Sequence, residues 1–129
     1  MNMQFIEVKT ATRKWRDEGG TDNGEAKTAW KKASMGFMKA LSRELGCTKS
    51  KITFCQGGPA VSGEATMFAT GGALGGKTAY FNLSADYAMY MRQADSFTDY
   101  QGKQNLWPNL DDCETFLESV RNNIERRFM

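Results

Sequence analysis

The sequence predicts an α+β domain, in which an antiparallel sheet of three to four strands, a meander, has helices packed on one face. Two amphipathic helical patterns, one in the N-terminal half and one at the C-terminal end, enclose a block of short segments that alternate with a period of two. The connections within this block are too short for the crossovers that parallel strands need, so neighbouring strands should run antiparallel. The 129 residues fit one domain.

The first helical pattern covers residues 25–45. Its apolar positions recur at steps of three and four residues, and they are Trp30, Ala33, Phe37, Ala40, Leu41 and Leu45. Asn23 or Asp22 is expected to cap the start of this helix. Gly46 follows the last apolar residue and suits the left-handed conformation that ends many helices.

The second helical pattern covers residues 110–127. Its apolar stripe consists of Cys113, Phe116, Leu117, Val120 and Ile124. The sequence predicts Asn109 or Asp111 as its cap, because both side chains can accept hydrogen bonds from backbone amides. Acidic residues in the first turn and arginines near the end match the polarity of the helix dipole.

Four strands are predicted between the helices, over residues 51–56, 62–70, 77–84 and 87–94. In the third, Thr78, Tyr80 and Asn82 alternate with apolar neighbours, as on a strand with one buried face. Residues 1–24 permit two interpretations. Their stripe fits a helix, whereas their Val and Thr content suits an edge strand; the stripe is formed by Phe5, Val8, Thr12 and Trp15.

The composition narrows the classes of function. The chain has no histidine, which removes the commonest general base and metal ligand. Its three cysteines show no paired spacing, and they are interpreted as structural or incidental rather than as a disulfide framework or zinc site. A non-enzymatic protein without cofactor or metal is therefore expected. No apolar run or leader-like segment predicts a membrane span or export, and a cytoplasmic location is expected.

The stretch GGALGGKT, residues 71–78, matches the phosphate-binding pattern G-x-x-x-x-G-K-[ST]. In a phosphate-binding loop a helix follows the lysine and directs its N-terminal end at the phosphates. Here the following residues alternate as in a strand. The favoured interpretation is therefore a flexible hairpin loop, with nucleotide binding as a minor alternative.

Basic residues are concentrated in the first third of the chain. Residues 1–51 contain eleven Lys and Arg against six Asp and Glu, whereas residues 52–129 contain six against nine. A nucleic acid could be held by these cations beside Trp15 and Trp30. The opposing interpretation is a solvated helix face. The candidate nucleic-acid contacts are Arg13, Lys14, Arg16, Lys31 and Lys32.

A polar and aromatic segment follows the fourth predicted strand. Binding residues concentrate in loops held against a rigid scaffold, and this segment is a candidate of that kind. The alternative is a purely structural turn in which Asp99 and Gly102 set the geometry and Trp107 anchors the next helix. The candidate partner-binding residues are Arg92, Asp95, Asp99, Tyr100, Lys103 and Trp107.

The segments KKASMGFMKALSRELG, GGPAVSGEATMF, AYFNLS and MRQADSFTDYQGKQNLW give residues 31–107 a resemblance to small α+β accessory domains of phage, plasmid and conjugative-element proteins. In those domains an R-x-A-x-x-x-x-D-Y-x-G segment closes the sheet; here it runs from Arg92 to Gly102. The resemblance implies a context, that of a mobile-element accessory protein, rather than an activity. Small proteins of that context often inhibit bacterial defences, CRISPR systems included, by binding them, so the expected partner is a bacterial protein or ribonucleoprotein complex. This is the leading functional hypothesis, ahead of a nucleic-acid-binding accessory protein.

Overall fold

The computed structural model describes residues 1–17, 24–56 and 63–129. Three helices and four strands follow one another in the order α1 (Asn2–Asp17), α2 (Glu25–Glu44), β1 (Lys49–Gln56), β2 (Gly63–Thr70), β3 (Thr78–Ser84), β4 (Met89–Ala94) and α3 (Cys113–Arg127), with a 3₁₀ turn (Gly72–Leu74) between β2 and β3. The predicted α+β class and the meander are confirmed. Each strand is paired antiparallel to the next in the order β1-β2-β3-β4.

The register of the sheet separates an apolar face from a polar and aromatic one. Ile52, Met67, Phe81 and Met91 lie opposite one another on successive strands and form one row on the face that the helices cover. One residue further along, a second row lies on the other face, because successive side chains of a strand alternate. That row consists of Lys51, Phe68, Tyr80 and Arg92. We call the face that carries it the outer face.

Residues 2–17 form a helix rather than an edge strand, which settles the ambiguity of the N-terminal segment. The side chains of the predicted stripe are the ones that α1 buries. Phe5 contacts Phe37 and Phe116, and the indoles of Trp15 and Trp30 lie 5.4 Å apart. These tertiary contacts favour the helix over the strand that the Val and Thr content also permits.

A glycine ends α2 as predicted and the helix begins at Glu25 as predicted, while its N-cap residue differs from the prediction. Gly46 has φ +67°, and its amide donates to the carbonyl of Arg43 while that of Cys47 donates to Ser42, which is the Schellman pattern. The N-cap residue is Gly24, without a side-chain hydrogen bond. The predicted caps, Asn23 and Asp22, lie outside the described residues.

The cap predicted for α3 is wrong. The helix begins at Cys113, three residues later than predicted, and its N-cap is Asp112, whose carboxylate accepts a hydrogen bond from the Thr115 amide at 2.8 Å. Asn109 instead accepts from the Asp111 amide at 2.7 Å and stabilises a turn before the helix. The segment from Asn109 to Asp111 is thereby held out of the helix.

The strand boundaries agree with the prediction to within two residues. β1 begins at Lys49, two residues early, because the Thr48 amide already donates to the Thr70 carbonyl at the end of β2. β4 begins at Met89 rather than at residue 87. Tyr87 has φ +61° and belongs to the turn closed by the hydrogen bond from its amide to the Ser84 carbonyl.

Candidate binding surfaces

The segment after β4 folds back onto the outer face of the sheet. Leu106 and Met91 exchange two backbone hydrogen bonds, of 2.8 and 2.7 Å, and the Lys103 amide donates to the Gln93 carbonyl at 3.0 Å. This backbone pairing anchors the segment at the edge of β4, and the rings of Phe97 and Tyr100 lie against Phe68 on the outer face. The candidate segment is therefore a loop held against the sheet, and its role in binding stays a prediction.

Asp99 organises the loop from within. Its carboxylate accepts hydrogen bonds from the amides of Asp95 at 2.9 Å, Gly102 at 2.8 Å and Gln101 at 3.2 Å. These amides hold the pKa of the Asp99 carboxyl below its ordinary value, because they stabilise the ionised form, and the Arg92 charge adds to the effect. The role of Asp99 is thus the structural one, to fix the loop.

Arg92 fastens the loop to the sheet. Its side chain is only 9% exposed, and its guanidinium lies 4.7 Å from the Tyr80 ring centroid and 5.4 Å from that of Tyr90. It donates to Asn105 Oδ1 at 3.1 Å and to the Tyr100 carbonyl oxygen. Its Nε is buried without a hydrogen-bond partner among the described residues. Ring faces and two oxygens therefore stabilise this buried cation.

Four aromatic side chains of β4 and the loop surround Phe68 and Tyr80 on the outer face and are joined to one another through these two rings. Phe97 stacks on Phe68 at 5.8 Å, Tyr100 meets the same ring edge-on at 5.1 Å, and Trp107 meets Tyr90 edge-on at 5.4 Å. Tyr100 is 51% exposed and Trp107 is 63% exposed. We call this layer the aromatic surface, and it comprises Tyr90, Phe97, Tyr100 and Trp107.

Lysines and polar groups border the aromatic surface. The Lys49 ammonium lies 4.9 Å from the Phe97 ring centroid, and the exposed Lys51 lies opposite Phe68 in the next strand. Toward the other end of the strands, the Asn82 amide donates to Glu64 Oε2 at 2.8 Å and to the Tyr80 hydroxyl at 3.3 Å. The outer face therefore carries charges of both signs.

The structure divides the six predicted partner-binding residues into two groups. Arg92 and Asp99 are used inside the loop and hold it in place. The other four present their side chains at or near the surface, and they are Asp95, Tyr100, Lys103 and Trp107. Four other aromatic residues of this face were not among the binding candidates that the sequence suggested: Phe68, Tyr80, Tyr90 and Phe97. The two-residue alternation of β3 and β4 could have placed Tyr80 and Tyr90 on this face.

Two tyrosines, Tyr80 on the outer face and Tyr87 before β4, should make the free energy of unfolding decrease at alkaline pH. Burial raises the pKa of Tyr80 to about 12, and burial near Asp111 raises that of Tyr87 to about 12. The folded state holds both protons more tightly than the unfolded state does. The two tyrosines therefore make their full contribution to the free energy of unfolding below pH 10, the ordinary tyrosine pKa. This contribution is lost as the pH rises through 12.

We expect the denaturant midpoint to fall between pH 10 and pH 12, and to fall less steeply in Tyr87→Phe and in Tyr80→Phe. Midpoints measured from pH 8 to pH 12 test this, with Tyr100→Phe as the exposed control. A decline of equal steepness in all four proteins would assign the alkaline sensitivity to other groups.

The five candidate nucleic-acid contacts do not form one surface. Lys14 and Lys32 line a groove between α1 and α2, Lys31 lies 5.4 Å from the Phe54 ring centroid, and Arg16 donates to the Asp86 carbonyl in the turn before β4. Arg13 is exposed on α1. Trp15 and Trp30 are buried, so neither is available for stacking on a base. The structure thus brings Lys14 and Lys32 together in the groove, while Lys31 and Arg16 contact other parts of the chain.

The groove between α1 and α2 has a volume of about 890 Å³. Small and apolar side chains form most of its floor, and basic side chains line its edges. The described residues around it are Gln4, Ile6, Glu7, Thr10, Ala11, Lys14, Ala29, Lys32, Ala33, Met35, Gly36, Lys39 and Arg43. On α2 they lie opposite the residues buried against the sheet, so the groove opens away from the outer face.

The glycine-rich stretch is a hairpin loop between β2 and β3, as predicted, but its contacts give no support to the flexibility that the sequence suggested. It is packed against the end of α2: Leu74 is buried and the Ala73 amide donates to the Leu45 carbonyl at 2.8 Å. The amides of Gly71, Leu74, Gly75 and Lys77 also donate to carbonyls of the loop itself. A phosphate cradle needs such amides directed at the ligand, and here they are already engaged.

The remaining chemistry of the described residues is sparse. Across residues 1–17, 24–56 and 63–129, no three His, Cys, Asp or Glu side chains converge as metal ligands would. Cys47, Cys55 and Cys113 are free thiols. No helix among the described segments is long and apolar enough to cross a membrane.

Comparison with protein-family models, with curated proteins and with solved structures gives no match. Function has therefore to be inferred from the geometry of the two surfaces, the aromatic surface and the groove.

Proposed function

We propose that this chain is a non-enzymatic binding protein of the phage or mobile-element type, and that the aromatic surface holds a protein of a bacterial complex, with CRISPR-type defence complexes as the first candidates. The carrying observation is the exposure of Tyr100 and Trp107, at 51% and 63%, on a loop fixed by Asp99 and Arg92. The choice of defence complexes rests on the resemblance of the sequence alone.

Aromatic anchors of this kind suit protein recognition for a physical reason. Tyrosine and tryptophan offer large amphipathic contact areas with few rotatable bonds, and they dominate the binding energy of many interfaces. Here the rings beneath them, Phe68 and Tyr90, hold both anchors in place before a partner arrives. Little conformational entropy is then lost on binding.

The alternative function is a nucleic-acid-binding accessory protein that uses the basic N-terminal third. Lys14 and Lys32 share the groove, but Lys31 lies near the Phe54 ring and Arg16 donates to the Asp86 carbonyl, and this division weighs against a single basic surface. The mixed charges around the aromatic surface, with Lys49 and Lys51 on one side and Glu64 and Asp95 nearby, favour a protein over a polyanion.

Replacing Trp107 with alanine is expected to weaken binding to the partner by about 2 kcal/mol, roughly thirtyfold, because a central aromatic anchor is lost. The immobilised chain would capture its partner from nuclease-treated bacterial lysate, and the captured protein, once purified, would be titrated against each variant. Met3→Ala, at an exposed apolar position of α1 outside both the aromatic surface and the groove, is the matched control and should bind as the parent chain does.

Tryptophan fluorescence gives a second measurement of the same contact. Trp15 and Trp30 are 1% and 0% exposed, so a blue shift on adding the partner reports Trp107. The shift should vanish in Trp107→Phe. Capture that survives Trp107→Ala unchanged would contradict the proposal. Binding of the purified chain to DNA or RNA alone that weakens steeply with salt would favour the nucleic-acid alternative.

A further inference from the structure

We infer that the groove between α1 and α2 is a second docking site, and that it accepts an acidic amphipathic helix of a partner protein. This site opens on the helical side of the domain, away from the aromatic surface. The inference therefore goes beyond the proposed function and does not depend on it.

The shape of the groove fits one helix. Two packed helices leave a furrow between them into which the side-chain ridge of a third helix can fit. The lining residues of α2 extend from Ala29 to Arg43, which at about 1.5 Å per residue is roughly 21 Å, or four helical turns. An occupant of about 14 residues would fill this length.

The floor of the groove supplies the apolar half of the interface. Ala11, Ala33 and Met35 are half-buried along it, and Ile6 at its edge is 57% exposed. These side chains provide apolar area that a partner can remove from water without first disturbing the core.

Gly36 lets another backbone come close to α2. A Cβ built at this position would meet no atom within 4 Å, so no described part of the chain fills the space above it. Glycine in a helix interior lowers helix stability relative to alanine, and packing among the described residues does not require it here. Space over a bare backbone is what the ridge of an incoming helix needs.

The edges of the groove determine the charge of the occupant. Lys14 on α1 faces the groove together with Lys32, Lys39 and Arg43 on α2, and Glu7 is the one acidic residue among the described lining residues. Four cations against one anion around an apolar floor favour a helix whose apolar stripe is flanked by carboxylates. Such complementarity mainly selects the partner and speeds its association.

The test uses synthetic helical peptides of about 16 residues on an alanine background. The first carries leucines at helical spacing flanked by glutamates; the second has the same leucines flanked by lysines. Titration of a fluorophore-labelled peptide with the full chain should give micromolar binding for the acidic peptide and at least tenfold weaker binding for the basic one.

Two variants examine the floor and the edges separately. Gly36→Leu should fill the groove and weaken the acidic peptide at least tenfold, while Gly36→Ala should change the affinity less than threefold. The double variant Lys32→Glu, Lys39→Glu should reverse the preference between the two peptides. Thermal melts confirm that each variant is folded, and Arg126→Glu, a charge reversal at an exposed position of α3 outside the groove, is the control that should bind both peptides as the parent chain does.

Several outcomes would overturn the inference. Equal affinity for the two peptides would show that the groove does not select its occupant by charge. Binding to Gly36→Leu as strong as to the parent chain would show that the peptide binds outside the groove. A dimer in solution that Gly36→Leu dissociates would make a second copy of this chain the occupant. The chain could instead bind anionic vesicles or single-stranded DNA more tightly than the acidic peptide and lose that binding in the double variant Lys32→Glu, Lys39→Glu. The occupant of the groove would then be a membrane or a nucleic acid rather than a helix.

Discussion

Replacing Phe116 with alanine is expected to lower the free energy of unfolding by about 4 kcal/mol. This ring is fully buried and lies 5.3 Å from the Phe37 ring and 5.8 Å from the Phe5 ring, so α1, α2 and α3 meet at it. Truncation removes apolar area from the core and leaves a cavity that three separate helices would have to close together. Equilibrium denaturation in urea, monitored by circular dichroism, measures the change.

Two companion variants make this result interpretable. Phe116→Leu keeps most of the volume, and its expected loss is about 1.5 kcal/mol. Leu117→Ala, at a half-buried position next to it in α3, should cost less than Phe116→Ala. A loss below 1 kcal/mol for Phe116→Ala would mean that the three helices do not share one core at this ring.

Gly72→Ala should lower the free energy of unfolding by about 3 kcal/mol, which is the second-largest effect we expect. Gly72 has φ +57°, and a Cβ there would overlap the carbonyl groups of Leu45 and Gly46 at the end of α2. The backbone conformation and the close approach both exclude a side chain. The glycine therefore serves the contact between the hairpin loop and α2.

The same loop contains its own controls. A Cβ at Gly75 would meet no neighbouring atom, but the residue has φ +60°. Gly75→Ala should therefore lower the free energy of unfolding by about 1 kcal/mol from backbone strain alone. Gly76→Ala has neither a positive φ nor a neighbour within 4 Å and should leave stability nearly unchanged. Equal losses at all three positions would contradict the assignment of the large effect to the contact with α2.

The elements with local sequence signals were predictable. The apolar stripes of α2 and α3 and the alternation of β3 depend on residues a few positions apart, and the structure has these elements near their predicted bounds. The cap of α3 was not predictable in the same way, because Asn109, Asp111 and Asp112 are all good capping residues. Only the turn that Asn109 makes with the Asp111 amide determines which of them begins the helix.

The aromatic surface and the groove could not be predicted in this way, because each is formed by residues that lie far apart in the sequence. Phe97 and Tyr100 lie above Phe68, about thirty residues earlier in the chain, and this proximity follows only from the strand register and the return of the loop over the sheet. The burial of Arg92 likewise results from the return of residues 95–107 over the sheet. The groove depends on how α1 packs against α2. It could not be predicted because the sequence of residues 1–24 permits both a helix and an edge strand.

The pairing of Leu106 with Met91 also limits how copies of this protein could associate through their sheets. It occupies backbone groups at the edge of β4, whereas β1 has no strand beside it among the described residues. A fibre built by strand addition needs two free edges on every copy. With one edge closed, joining of β1 to β1 produces a two-fold pair that ends there, and the lysines at positions 49 and 51 would repel even that pairing.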